Sequence, residues 1–148
     1  MLVPDAPDVP VQVLDVRDLA AWLVRCAERG TAGIATAGGP THTLGEHLEA
    51  VRTVTGFSGS WEVAGEDWLA EHDVEPWMGA RSLPLWLPAD AIGLNAHDLS
   101  AAASLGLRTR PLAETLADTL AWELAEPGPR GAGLDDADER VLLAELSR

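Results

Sequence analysis

Val11-Gln12-Val13-Leu14-Asp15-Val16-Arg17-Asp18-Leu19 changes its period in the middle, and that change decides the fold class. Val11 to Leu14 alternates and is rich in β-branched residues, which predicts a short strand. From Asp15 onward the apolar period becomes helical. Leu19, Trp22, Leu23 and Cys26 recur at spacings of three, four and seven, which is one face of a helix over Val16–Arg29. Asp15 is placed to cap the free amides at its start, and Gly30 to end it. A strand that feeds a helix and then a second apolar run, Gly33-Ile34-Ala35-Thr36-Ala37, is the pattern of an α/β chain. The second run predicts a buried strand, broken by Gly38-Gly39-Pro40.

Outward from this unit the pattern is mostly helical. Thr43-Leu44-Gly45-Glu46 is a capping box that opens a helix to about Thr55, with Leu44, Leu48 and Val51 inward and Gly56 as its stop. Trp61-Glu62-Val63 predicts a strand, and residues 66–72 a short helix. Residues 73–96, rich in Pro, Trp and Gly, predict a long loop with at most a turn of helix. A short helix over 98–105 ends at Gly106. Pro111 starts another at its favoured first-turn position, running to about Ala125 with Leu112, Leu116, Leu120 and Leu124 as its stripe. Residues 135–146 predict a terminal helix. Trp22 and Trp122 are expected in the core.

The 148 residues suffice for one domain with a modest core. The formal charge of −14 argues against nucleic-acid and anionic-membrane partners. Met1-Leu2-Val3-Pro4-Asp5 does not read as a secretory leader, and a single cysteine, Cys26, excludes an internal disulfide framework; both point to the cytoplasm. The sequence contains no lysine and no tyrosine. That removes a phosphate-loop lysine, a Schiff-base lysine and any Tyr/Lys acid–base pair.

Candidate chemistry is sparse. His42 and His47 are five apart, the wrong spacing for two ligands on one helical face, and His72 and His97 lie in separate segments, so no metal site is expected. Gly56-Phe57-Ser58-Gly59-Ser60 lacks the second glycine of a nucleophile elbow and follows a helix, so it reads as a turn. The glycines at 38 and 39 make no dinucleotide fingerprint. Asp15 and Asp18 open a helix, where capping is the better reading than acid–base work. Trp77 and Trp86 stand in a Pro-punctuated loop, where large aromatics either line a pocket or cap a core; the two readings are both open. Arg81, between them, could orient an anionic or carbonyl group.

The segment Gln12-Val13-Leu14-Asp15-Val16-Arg17-Asp18-Leu19-Ala20 resembles a strand-to-helix stretch in the later part of extended short-chain dehydrogenases/reductases, the NAD-dependent epimerase/dehydratase family. The similarity continues through the run ending Gly38-Gly39-Pro40, through Glu75-Pro76-Trp77 and Leu83-Pro84-Leu85-Trp86-Leu87-Pro88, and through Leu107-Arg108-Thr109-Arg110-Pro111-Leu112-Ala113-Glu114-Thr115 to Trp122. It is most like an actinobacterial reductase-type branch. Ala35 and Thr36 depart from the family's Phe and Asn, and Ala101 stands where a basic residue is usual.

The resemblance implies a helix-rich α/β fragment with a few short strands, the C-terminal, substrate-side portion of an extended Rossmann-type dehydrogenase/reductase without its dinucleotide-binding half. On that reading residues 1–148 are a single substrate-binding-type domain. The glycine-rich NAD(P) loop and the Tyr-x-x-x-Lys pair of the family lie outside it, so the chain binds no cofactor of its own and is not catalytic alone. Gln12, Trp77, Arg81 and Trp86 become the candidate substrate-binding residues, around an unidentified small molecule. The expected partners are a separately encoded Rossmann-domain chain, whose enzyme this one would complete, or a second copy through self-association. The missing half is expected in the DNA immediately upstream.

Overall fold

A computed structural model describes residues 1–126, 128 and 131–148. It is a mixed α/β fold in which helices surround three separate two-stranded ladders. In chain order the elements are β1 (Leu2–Pro4), β2 (Pro10–Gln12), α1 (Val16–Arg29), β3 (Thr41–Thr43), α2 (Leu44–Thr55), β4 (Glu62–Ala64) and α3 (Glu66–Glu71). They continue with β5 (Glu75–Pro76), β6 (Ser82–Leu83), a 3₁₀ turn (Ile92–Asn95), α4 (Ser100–Ser104), α5 (Leu112–Ala125) and α6 (Asp136–Leu146). Strands β1 and β4 pair in parallel, β2 and β3 antiparallel, and β5 and β6 in parallel.

The helix boundaries follow their local chemistry. Asp15 caps α1 by accepting from the Arg17 amide, and Gly30 closes it in the left-handed region. The capping box at α2 is complete: Thr43 Oγ1 accepts from the Glu46 amide at 3.1 Å, and Glu46 Oε2 from the Thr43 amide at 2.9 Å. Asp135 caps α6 through the amides of Ala137 and Asp138. Pro111 is the residue before α5 rather than its first turn.

Two apolar clusters hold the elements together. Leu2, Val11, Leu44, Ala64, Leu69, Val74, Trp86 and Leu142 form the larger, joining β1, β2, β4, α2, α3 and α6. The smaller gathers Trp22, Ala102 and Leu107, with Leu14, Leu19, Cys26, Ala35 and Ala37 packed on it. It fastens α1 to α4 and to the chain that follows α1.

Several expectations need correction. Residues 33–37 form no strand: no described residue makes a ladder with them, and Ile34 is fully exposed. β2 itself spans Pro10–Gln12 and not 11–14, since its ladder with β3 ends where Gln12 meets Thr41. Trp122 is 62% exposed and Leu23 54% exposed, so neither is core. Helix α5 buries no residue fully; its Leu112, Leu116 and Leu120 are half-covered and Leu124 is exposed. The ladders of β1, β3, β5 and β6 were not legible. Each is two or three residues long and stands on a tertiary pairing rather than on alternation.

Candidate functional site

The four candidate substrate residues have four different surroundings. Trp86 is 4% exposed and belongs to the larger core cluster. Trp77 is 37% exposed and sits at φ 68°, a conformation that strains a bulky residue. Arg81 pairs with Asp138 at 2.5 Å and donates through Nε to the His72 carbonyl at 3.2 Å. It ties the 73–85 segment to α6. Gln12 uses its whole amide. Its Nε2 donates to Thr41 Oγ1 at 2.9 Å and to the His97 carbonyl at 3.0 Å, and its Oε1 accepts from the His97 amide at 3.1 Å. Asp73, Trp77 and Leu85 are the non-glycine residues with positive φ among those described, so backbone strain collects in the segment that carries Trp77 and Arg81.

What the fold does bring together is a polar network where α1 begins and α5 approaches. Asp15 Oδ1 accepts from the Arg17 amide and Nε, both at 2.9 Å. Its Oδ2 accepts from Arg17 Nη2 at 2.7 Å and Thr115 Oγ1 at 3.0 Å, and lies 3.3 Å from Arg110 Nε. Asp18 takes the Arg110 amide at 2.8 Å and its guanidinium at 2.7 Å. Arg17 reaches on to Asp118 at 2.6 Å. The Asp15 side chain is almost enclosed while Arg17 and Asp118 are about half exposed, so the network runs from a covered carboxylate out to the surface. The network borders a cavity of about 310 Å³ that also includes Val13, Pro40, His42 and Leu112. A second, apolar groove of about 350 Å³ runs between α2 and α5, lined by Val51, Val54, Leu116, Leu120 and the threonines 55 and 119.

The electrostatics assign the network a holding role. The Arg17 side chain holds Asp15 well below the usual carboxylate range, and Arg110 does the same for Asp18. Carboxylates saturated by guanidinium donors have no basicity left for proton abstraction near neutral pH. Asp15 and Asp18 therefore cap and clamp, as their position at a helix start suggested. Arg110, which closes the clamp from 92 residues away, was missed. A hint of it stands in the Arg108-Thr109-Arg110 triplet, but nothing local says which arginine turns inward.

His47 is buried, its Nδ1 has no hydrogen-bond partner, and burial, then the neighbouring His42, pushes its pKa down. Among the described residues no group of three His, Cys, Asp or Glu side chains is placed to hold a metal ion, and no helix is long and apolar enough to cross a membrane.

These shifts have a definite pH consequence. Asp15, Asp18, Asp98 and Asp135 all have folded pKa values below their unfolded ones, through hydrogen bonds from Arg17, from Arg110, from Ser100, and from the amides of Asp138 and Ala137. Their contribution is present above about pH 4 and lost as pH falls through the depressed values. His47 is a base with a lowered folded pKa, so the unfolded chain takes up its proton first, below about pH 6.5. Thermal melts are expected to soften in two stages, the first as pH falls below about 6.5 and the second below about pH 4. His47→Gln should flatten the first stage alone. A melting temperature that stays level as pH falls from 7 to the onset of the carboxylate stage in the unaltered chain would remove His47 from this account.

No protein-family model matches the chain, and neither the curated proteins nor the solved structures yield a match.

Proposed function

We propose that this chain is the substrate-side, C-terminal part of an NAD(P)-dependent epimerase or reductase of the extended short-chain dehydrogenase/reductase type, without catalytic activity by itself. One observation carries the reading. The unit from β2 through α1 to residue 37 has the strand–helix–apolar-run order of a crossover, with Leu14, Leu19, Ala35 and Ala37 packed against the cluster that holds Trp22, yet residues 33–37 have no ladder partner among the described residues. A crossover of this kind belongs beside a sheet. The residues that resemble the family, Gln12 to Ala20 and the run ending at Pro40, form this same unit. The chemistry of the reaction would be supplied by a cofactor-bearing half with its glycine-rich loop and Tyr-x-x-x-Lys pair. This chain would contribute the substrate side, with Trp77 the one of the four candidate residues left at the surface without a polar or core commitment.

Two measurements test the proposal. Tryptophan fluorescence of the chain alone should show no saturable quenching by NAD(H) or NADP(H); micromolar binding confirmed by calorimetry would overturn it. The coding sequence immediately upstream, co-expressed with this one, should yield NAD(P)H-dependent turnover of a carbonyl or sugar-nucleotide panel that neither half shows alone. An upstream product that carries no nucleotide-binding loop would count against the reading. A second reading, in which the chain is a stand-alone module that completes a separately encoded enzyme in trans, rests on the same unpaired segment. It is favoured only if the two products are made as independent proteins.

A further inference from the structure

The cavity beside the clamp at the start of α1 carries two kinds of polar side chain. One kind is spent. Asp15 accepts from Arg17 and from the Thr115 hydroxyl. Asp18 accepts from the Arg110 amide, Nε and Nη2. The other kind is not. Among the described residues, neither Arg110 Nη1 nor the Thr109 hydroxyl has a hydrogen-bond partner. His42 Nδ1 stands 3.9 Å from Glu46 Oε2, beyond hydrogen-bond distance. These three residues come from β3 and from the segment before α5, and they line the cavity together with Val13, Pro40 and Leu112.

The walls are held in place. A β-carbon at Gly39 would collide with the Val13 carbonyl, a close approach that keeps the chain at Pro40 beside Val13. Opposite, the bonds from Arg110 to Asp18 fasten the chain before α5 to α1. An apolar wall with a few unspent polar groups, in about 310 Å³, is the make-up of a small-molecule site. The groove between α2 and α5 has the apolar half alone. Its Thr55 and Thr119 hydroxyls already donate to the Val51 and Thr115 carbonyls.

Charge narrows the ligand. Asp15 and Asp18 are matched by Arg17 and Arg110. An anion meets both carboxylates and has to take Arg110 from Asp18. A cation finds both carboxylates already filled with donors. A neutral molecule meets neither obstacle. Its oxygens can take the free Arg110 N–H, the Thr109 hydroxyl and the His42 ring, while its hydrocarbon side lies on Pro40 and Leu112.

We propose that this cavity binds a small uncharged molecule with hydroxyl or carbonyl oxygens on one side and hydrocarbon on the other. The residues that make it are not those of the enzymatic reading above, so the two stand or fall separately.

The vicinal cyclohexanediol is the probe, titrated into nitrogen-labelled protein and followed by amide chemical shifts. Saturable shifts are expected at His42, Thr109 and Arg110, with a Kd of about a millimolar for so small a ligand. Cyclohexanecarboxylate and cyclohexylammonium bind at least roughly tenfold more weakly. Thr109→Val removes the hydroxyl at an exposed position and keeps the side-chain shape, so the melt is unchanged and diol affinity falls about threefold to tenfold. His42→Phe has the same effect on affinity. The absence of saturable shifts at these amides overturns the proposal. So do shifts centred on Val51 and Leu120, which place the diol in the α2–α5 groove. Charged probes that bind as well as the diol, or a diol affinity that Thr109→Val leaves unchanged, overturn it equally.

Discussion

Trp86→Ala is expected to lower the unfolding free energy by about 3–5 kcal/mol, while Trp77→Gly leaves it within about 1 kcal/mol of the unaltered chain. The two residues share a loop, a Pro-rich setting and a place in the family resemblance, and they differ in their surroundings. Trp86 is almost wholly enclosed with Leu2, Val11, Leu69 and Leu142, elements from both ends of the chain, so its removal leaves a cavity at the centre of the larger cluster. Trp77 buries less and holds a left-handed backbone, from which a non-glycine residue is disfavoured by roughly 1–2 kcal/mol. Glycine at 77 relieves that strain and offsets the contacts it loses. Urea unfolding followed by far-ultraviolet circular dichroism reads both effects without relying on the altered tryptophans. Equal losses at the two positions would mean that Trp77 is as much a packing residue as Trp86. A loss at 86 alone leaves Trp77 as the aromatic available to a ligand.

Gly39→Ala is expected to cost the upper end of about 1–3 kcal/mol, although it adds one methyl group. A β-carbon at residue 39 would collide with the Val13 carbonyl, which is backbone and has no rotamer to turn away. Relief requires the chain at 39 to part from Val13 and Leu14, and that opens the smaller cluster where Leu14, Ala35 and Ala37 meet Trp22. Gly93→Ala is the control: a β-carbon there meets no atom within 4 Å. Its melting temperature should stay within a degree or two of the parent. A Gly39→Ala chain that melts with the control would show that the close approach at Val13 is easily relaxed.

Much of the helical framework was legible because its signals are local. The Asp15 cap and the apolar spacing of Leu19, Trp22 and Cys26 set α1 to the residue. The Thr43 and Glu46 reciprocity set the start of α2, and Asp135 the start of α6. The strands were less legible for the converse reason. A two- or three-residue ladder is too short for alternation to register, and β1 exists because Leu2 to Pro4 finds Glu62 to Ala64 about sixty residues on. Residues 33–37 were the instructive failure. Their composition suits a buried strand, yet a strand needs a ladder partner, and among the described residues none pairs with them although Ala35 and Ala37 pack on the smaller cluster.

The candidate site divides in the same way. Sequence marked Gln12, Trp77, Arg81 and Trp86 as chemically unusual for their positions, and it placed Asp15 and Asp18 at a helix start. Tertiary structure decided what each one touches. It spent the Gln12 amide on Thr41 and His97, set Arg81 against Asp138, closed Trp86 into the core and left Trp77 at the surface. It also brought Arg110 to Asp18, a contact that no window of neighbouring residues contains. By itself the sequence determined the helices, their caps, the acidic surface and the absence of lysine and tyrosine, because these follow from side-chain chemistry within a few turns of the chain. Which apolar faces are covered, which carboxylates are paired and which strand edge stays open were decided by folding alone, because each depends on a partner that chain distance does not specify.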